Sequence, residues 1–278
     1  MSLSFSLSIQ APMPAADSPL RLSLVSAIIA VFLLMPVAVL EVAFAGSPDN
    51  TLFTQVLSEN VKNGLVNYRA IKADKRFADY IAVLQKTDPE TIPADERLAF
   101  WINAYNAFTI KIVVDQYPIK SIMSKTAYAF GKSNFQKKLA TLNGVPYSLN
   151  DIENNIIRPY GDPRIHFAIN CAAISCPPLR AEAYEPSRLS EQMDEQTRNF
   201  LNNSEKNSFD FVKNQAKLSK IFDWFKDDFN KYTTSVIDFI SRYLPSEQEQ
   251  KLRSAGKSLK IDHHNYNWDL NDAGTSGS

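Results

Sequence analysis

The segment that most constrains the fold is E96-R-L-A-F-W-I-N-A-Y-N-A-F-T-I-K-I-V-V-D-Q-Y117, which follows Pro93 and stops before Pro118. Asp95 and Glu96 sit where acids favour a helix N-terminus, and the residue before a proline is a poor place to continue a helix. Its apolar residues cover almost every face, so the helix cannot lie on a surface and must be wrapped by the rest of the chain. Two asparagines, Asn103 and Asn106, share one face of it at a spacing of three. Amides on so apolar a helix need partners, either to brace a neighbouring segment or to line a pocket.

Around this helix the pattern reads as α+β with helices in the majority, a single domain packed around a small sheet. Thr51 to Val61 and Lys72 to Gln85 have helical spacing, and Leu65 to Tyr68 forms a brief strand or extended turn after Gly64. Asn143-Gly144 sets a hairpin between Leu139–Leu142 and Val145–Tyr147. Ser148 with Asp151 three residues on has the form of a capping box, opening a helix that ends at Arg158-Pro159. Ile165 to Cys171 is the best strand candidate, bounded by Asp162-Pro163 and Cys176-Pro177-Pro178. Helices follow at 187–202, over KIFDWFKDDF with Trp224 in the core and Asp227-Asp228 on the wet face, and at 235–244 and 246–255. Leu259 to Asp262 and Tyr266 to Leu270 are expected to be the last strands. Residues 273–278 read as a flexible tail.

The first 45 residues carry a different signal. Leu22 to Leu40 is uncharged, Arg21 precedes it, and Ala43-Phe44-Ala45 before Gly46 has the small-x-small form of a signal-peptidase site. This reads as an export signal, with an uncleaved N-terminal membrane anchor as the competing reading. Either way the domain at 46–272 is expected outside the cytoplasm, periplasmic or extracellular. Thirty basic residues balance thirty acidic ones, which excludes nucleic acid as a natural partner and leaves a peptide or small-molecule ligand.

The chemistry concentrates in R164-I-H-F-A-I-N-C-A-A-I-S-C-P-P-L179, which holds one of three histidines and both cysteines. A thiolate beside an imidazole is an acyl-accepting nucleophile, so Cys171 or Cys176 with His166 as base is one reading, and Glu153 or Asn106 would orient the ring. Strand alternation would put His166 and Cys171 on opposite faces, with Asn170 beside His166, unless the strand ends at Asn170. Asn103, Asn106, Asn170 and Arg164 are the candidate binding groups. An order of thiol, then His263 or His264, then Asp269 would resemble papain-like or transglutaminase arrangements, but no helix starts directly at either cysteine. The other reading is structural: in an oxidising compartment Cys171 and Cys176 close a disulfide, His166 is a core histidine, and Glu153 pairs with Arg158 or Arg164. No metal or other cofactor is expected, since His-x4-Cys-x4-Cys is not a usual zinc spacing and no phosphate-binding glycine loop, G-x-S-x-G or H-E-x-x-H is present.

The blocks FWINAYNAFTIKIVVDQYPIKSI, YSLNDIENNIIR, DPRIHFAINCAAISCPPLRAEAY, LSKIFDWFKDDF and YNWDLN, in that order, resemble those of the domain-of-unknown-function family 547. The resemblance runs from Glu96 to Asn271 and implies a fold and a site location more than a reaction. Where this chain has Asn267 the family's terminal block usually carries Asp, and the His263-His264 pair lies outside its pattern. Two functions follow as expectations: a thiol-dependent hydrolase or acyltransferase acting on peptide or amide bonds of the cell envelope, and a non-catalytic binding or scaffold domain locked by a Cys171–Cys176 disulfide.

Overall fold

The computed structural model describes residues 46–124 and 133–275, all within one compact unit spanning 44–278; the expected leader at 1–45 lies outside the described residues. Helix α1 (Thr51–Asn60) runs into a two-stranded hairpin, β1 (Val61–Lys62) and β2 (Leu65–Val66). The turn needs positive φ at both Asn63 and Gly64. A Cβ on Gly64 would stand 2.5 Å from Pro178 Cβ, so the second cysteine's proline turn packs directly on this glycine. Helices α2 (Tyr68–Ala73) and α3 (Lys75–Lys86) follow, each opened by a side chain that accepts a backbone N–H, Asn67 from Ala70 and Asp74 from Arg76.

Helix α4 (Arg97–Gln116) is the expected central helix, and every residue from Leu98 to Ile110 is buried. Next comes the hairpin of β3 (Ala140–Leu142) and β4 (Val145–Tyr147), turning on Asn143 and Gly144, which both take the left-handed conformation. Ser148 and Asp151 form the reciprocal capping bonds, Asp151 accepting from Ser148 N–H and Ser148 Oγ from Asp151 N–H. The helix they open is wide, a π-type segment over Asp151–Ile157 that tightens at Arg158–Tyr160.

The strand expected over 165–171 is not formed. Ile165–Ala168 is instead a single helical turn, α5. Asp162 starts it, its side chain accepting from Arg164 N–H and its carbonyl from Ile165 N–H. Asp162-Pro163 was thus a helix-opening signal. A run buried on all sides has no wet-and-dry alternation to separate strand from helix, and 165–170 is such a run: Ile165 and Ala168 belong to the apolar cluster around α4, Phe167 to a second cluster.

The remaining elements are α6 (Leu189–Leu201), β5 (Ser208–Asp210), β6 (Gln215–Leu218), α7 (Ile221–Trp224), α8 (Lys226–Tyr232), α9 (Val236–Ser241), α10 (Ser246–Ala255) and β7 (Lys260–His263). KIFDWFKDDF is therefore two helices broken at Phe225. The class is α+β and mostly helical, with strands gathered in small sheets, β1-β2, β3-β4 and the mixed β5-β6-β7. Residues 266–270 do not form the expected strand. They are stitched irregularly to the cysteine loop, Ile174 N–H donating to Asp269 O and Asn271 N–H to Ala172 O, while Val66 N–H donates to Asn271 O. Tyr68 adds a 2.6 Å hydroxyl bond to Asn271 Oδ1. This closure brings the C-terminal aromatics against the Cys171–Cys176 loop.

Candidate functional site

A cavity of about 530 Å³ opens beside the cysteine loop, a size suited to a small ligand. The π-type segment supplies Asn150, Glu153 and Asn154 to its wall, α4 supplies Tyr105, and the turn at 165–169 supplies His166 and Ile169. Cys171, Cys176 and Pro177 form another side, and Phe135, Trp224, Tyr266 and Trp268 contribute aromatic rings. Helix-to-loop irregularity is what allows His166 and Cys171 to border one space, so the strand-facing objection does not arise.

The two sulfurs are paired with each other as a disulfide, the Cα atoms 6.0 Å apart. Cys171 N–H donates to Cys176 Sγ, and Cys171 Sγ lies 3.1 Å from the Tyr266 hydroxyl. Asn170 holds the loop from inside, donating to Pro177 O at 2.7 Å and accepting from Ala172 N–H at 2.9 Å.

His166 is oriented by a residue that the sequence pattern did not single out. Its Nε2 lies 2.8 Å from Asp228 Oδ2, and Arg158 grips the same carboxylate with Nε at 2.8 Å and Nη2 at 2.9 Å. The imidazole stacks on Phe225 with centroids 3.9 Å apart. Burial pushes the imidazole below its ordinary pKa despite Asp228, while hydrogen bonds from His166 and Arg158 hold the Asp228 carboxyl well below the carboxylate range. A neutral ring facing an ionised carboxylate donates from Nε2, which leaves Nδ1 as an acceptor; it is buried and has no hydrogen-bond partner, neither sulfur included. Asp228, expected on a wet helix face, is instead the centre of this network. Its one legible signal was its position four residues after Trp224 in the block LSKIFDWFKDDF.

Glu153 does not pair with Arg158 or Arg164. Arg158 is committed to Asp228 and Asn154, and Arg164 to Asp162 and Asp194. The Glu153 carboxylate is half-buried where it opens onto the cavity and takes one bond from the Tyr105 hydroxyl, 3.3 Å away. Burial pushes its pKa up to about 7, against the lowering influence of Tyr105 and Arg158. In turn it raises the Tyr105 and Tyr266 hydroxyls beyond what their own burial does.

The expected binding groups Asn103, Asn106, Asn170 and Arg164 do not line this cavity. Asn103 brackets the backbone of Tyr184, donating to its carbonyl and accepting from its N–H, both at 2.8 Å. Asn106 donates to Ala168 O at 3.0 Å and accepts from Asn170 N–H at 2.8 Å. His263, His264 and Asp269 are also absent from the wall. Trp224, expected in the core, stands 47 % exposed at the cavity, its ring 4.7 Å from Tyr266. Among the described residues no group of three or more His, Cys, Asp or Glu side chains is placed to hold a metal ion, and no helix is long and apolar enough to cross a membrane.

The segment that carries Tyr105, Glu153, His166 and both cysteines matches a family model, "Protein of unknown function, DUF547", over residues 89–201. Residues 89–201 are thus a DUF547 region. No curated protein and no solved structure matches it. The match ends with α6, so the DUF547 region supplies the acid, the imidazole and the disulfide, whereas Asp228, Trp224, Tyr266 and Trp268 come from beyond it. The last two sequence blocks that resemble the family fall in that second part.

Proposed function

We propose that this DUF547 protein is a ligand-binding domain acting outside the cytoplasm, with the cavity as its site and the Cys171–Cys176 disulfide as a brace for the wall. The observation that carries the reading is the pairing of the two sulfurs with each other beside an open, aromatic-walled space. A thiol tied in a disulfide is no nucleophile, and a disulfide persists in an oxidising compartment. The uncharged run at 22–40 ahead of Ala43-Phe44-Ala45 supports delivery to such a compartment.

A thiol-dependent hydrolase or acyltransferase is the second reading, and one observation favours it: Asp228 orients His166 through Nε2 while Nδ1 stays unpartnered, and both sulfurs border the same cavity. That is the preparation a general base needs. Alkylation of the native, unreduced protein followed by mass spectrometry separates the two. The binding reading expects no added alkyl group and a mass two hydrogens below that of the reduced chain. Stoichiometric labelling of Cys171 or Cys176 without reductant, with loss of turnover of a model thioester or amide, would overturn it in favour of thiol catalysis.

A further inference from the structure

The cavity sets aromatic faces and one carboxylate against each other. Tyr266 lies 4.7 Å from both Trp224 and Trp268 by ring centroids, Trp224 and Trp268 are 6.2 Å apart, and Phe135 is 6.2 Å from Trp268. All four rings and Glu153 line the same space. Glu153 makes no ion pair among the described residues, and the guanidinium nearest to it in effect, Arg158, is spent on Asp228. Among the described residues, no Lys or Arg lines the wall.

A buried carboxylate lacking a cation is costly to keep ionised, and the faces of Trp, Tyr and Phe attract cations most strongly where water is excluded. An anionic ligand would meet Glu153 with no basic group among the described wall residues to offset it. A neutral sugar could stack on the rings but would leave the acid unpaired. We propose that the cavity takes its ligand by an ammonium or guanidinium group, seated between the Trp224–Tyr266–Trp268 rings and the Glu153 carboxylate. This rests on the reading of the cavity as the binding site and names the ligand class for it. The space exceeds a single cationic head, so the group is the end of a larger body, either a free small amine or a lysine or arginine side chain of a peptide.

The proton follows the cation. Tyr105, Arg158, Asp228 and Tyr266 are the titratable or charged groups that face Glu153. With its carboxyl at about 7, the acid is part-protonated at neutral pH, and a bound cation favours the ionised form. Binding is therefore stronger at pH 8 than at pH 6 and releases protons between them.

Two of the three tryptophans, Trp224 and Trp268, border the cavity, so intrinsic fluorescence and calorimetry report on occupancy. The probes are choline, its neutral isostere 3,3-dimethylbutan-1-ol, the amides of Nα-acetyl-lysine and Nα-acetyl-arginine, acetate and glucose, titrated at pH 6 and 8. Choline or the amino-acid amides should bind at least about tenfold tighter than the neutral isostere, and their ranking tells a free amine from a peptide side chain. Glu153→Gln should erase that preference and the pH dependence while the circular dichroism and melting profile show an intact fold. Equal binding of choline and its isostere, or a preference for glucose or acetate, overturns the cation and leaves the binding site standing. Binding by none of the probes overturns both.

Discussion

The asparagines of α4 and the His166 and Glu153 groups at the cavity are polar side chains set among apolar neighbours, the first three buried and Glu153 half-buried, yet they end differently. Asn103, Asn106 and His166 are 1 %, 2 % and 3 % exposed. Each asparagine satisfies both ends of its amide on one stretch of backbone, whereas His166 keeps a bare Nδ1 and Glu153 takes a single long bond. Burial alone therefore does not mark a site. Unused hydrogen-bonding capacity marks one only where it also borders a cavity, since Thr109 Oγ1 and Tyr184 Oη are buried and unpartnered away from this wall.

The sharpest way to break the comparison is Asn106→Ala. It would strand the Ala168 carbonyl and the Asn170 N–H, and at about 1–3 kcal/mol for each unsatisfied buried group the domain should lose roughly 3 kcal/mol in urea denaturation. A loss below about 1 kcal/mol would mean that the amide is no more a structural clamp than Glu153 is. Replacing both cysteines by serine removes a short closed loop and should lower stability by about 2 kcal/mol in the same assay, with the cavity's ligand affinity weakened through a looser wall.

Glu153→Gln should act in the opposite direction. The folded carboxyl titrates at about 7 against an ordinary 4.5, so the folded state holds a proton that the unfolded chain has released. The favourable contribution of that proton is complete below about pH 4.5 and is lost as pH rises through 7. The glutamine variant should match the parent at pH 4 and exceed it at pH 8 by about 1–2 kcal/mol, a figure reduced for the face open to the cavity. Equal stability at both pH values would place the acid among the satisfied groups. The smallest effect is expected of Tyr266→Phe, which removes only the hydroxyl beside Cys171 Sγ and should shift stability by about 0.5 kcal/mol, measured by thermal melting.

Local signals carried well where a few neighbouring residues settle the matter. The central helix, the Asn143-Gly144 hairpin and the Ser148–Asp151 capping box were legible because propensity, turn conformation and capping act within about four residues. IHFAIN was misread because a segment buried on every side shows no wet-and-dry alternation, and residues 266–270 because an extended chain can bond to loops as well as to strands. Within the site, the thiols, His166 and Glu153 were legible as residue types, but their partners were not.

The chain by itself determined an α+β, mostly helical domain with a DUF547 region at 89–201 and its chemistry gathered around residues 153–176, since helix burial and block order are properties of the local pattern. Only the tertiary structure decided that Asp228 takes His166 from 62 positions away, that Tyr105 rather than an arginine meets Glu153, and that Tyr266 closes over Cys171 from 95 positions on. Those pairings depend on how separate elements pack, and packing is set by the shapes of whole faces rather than by any residue's neighbours in sequence.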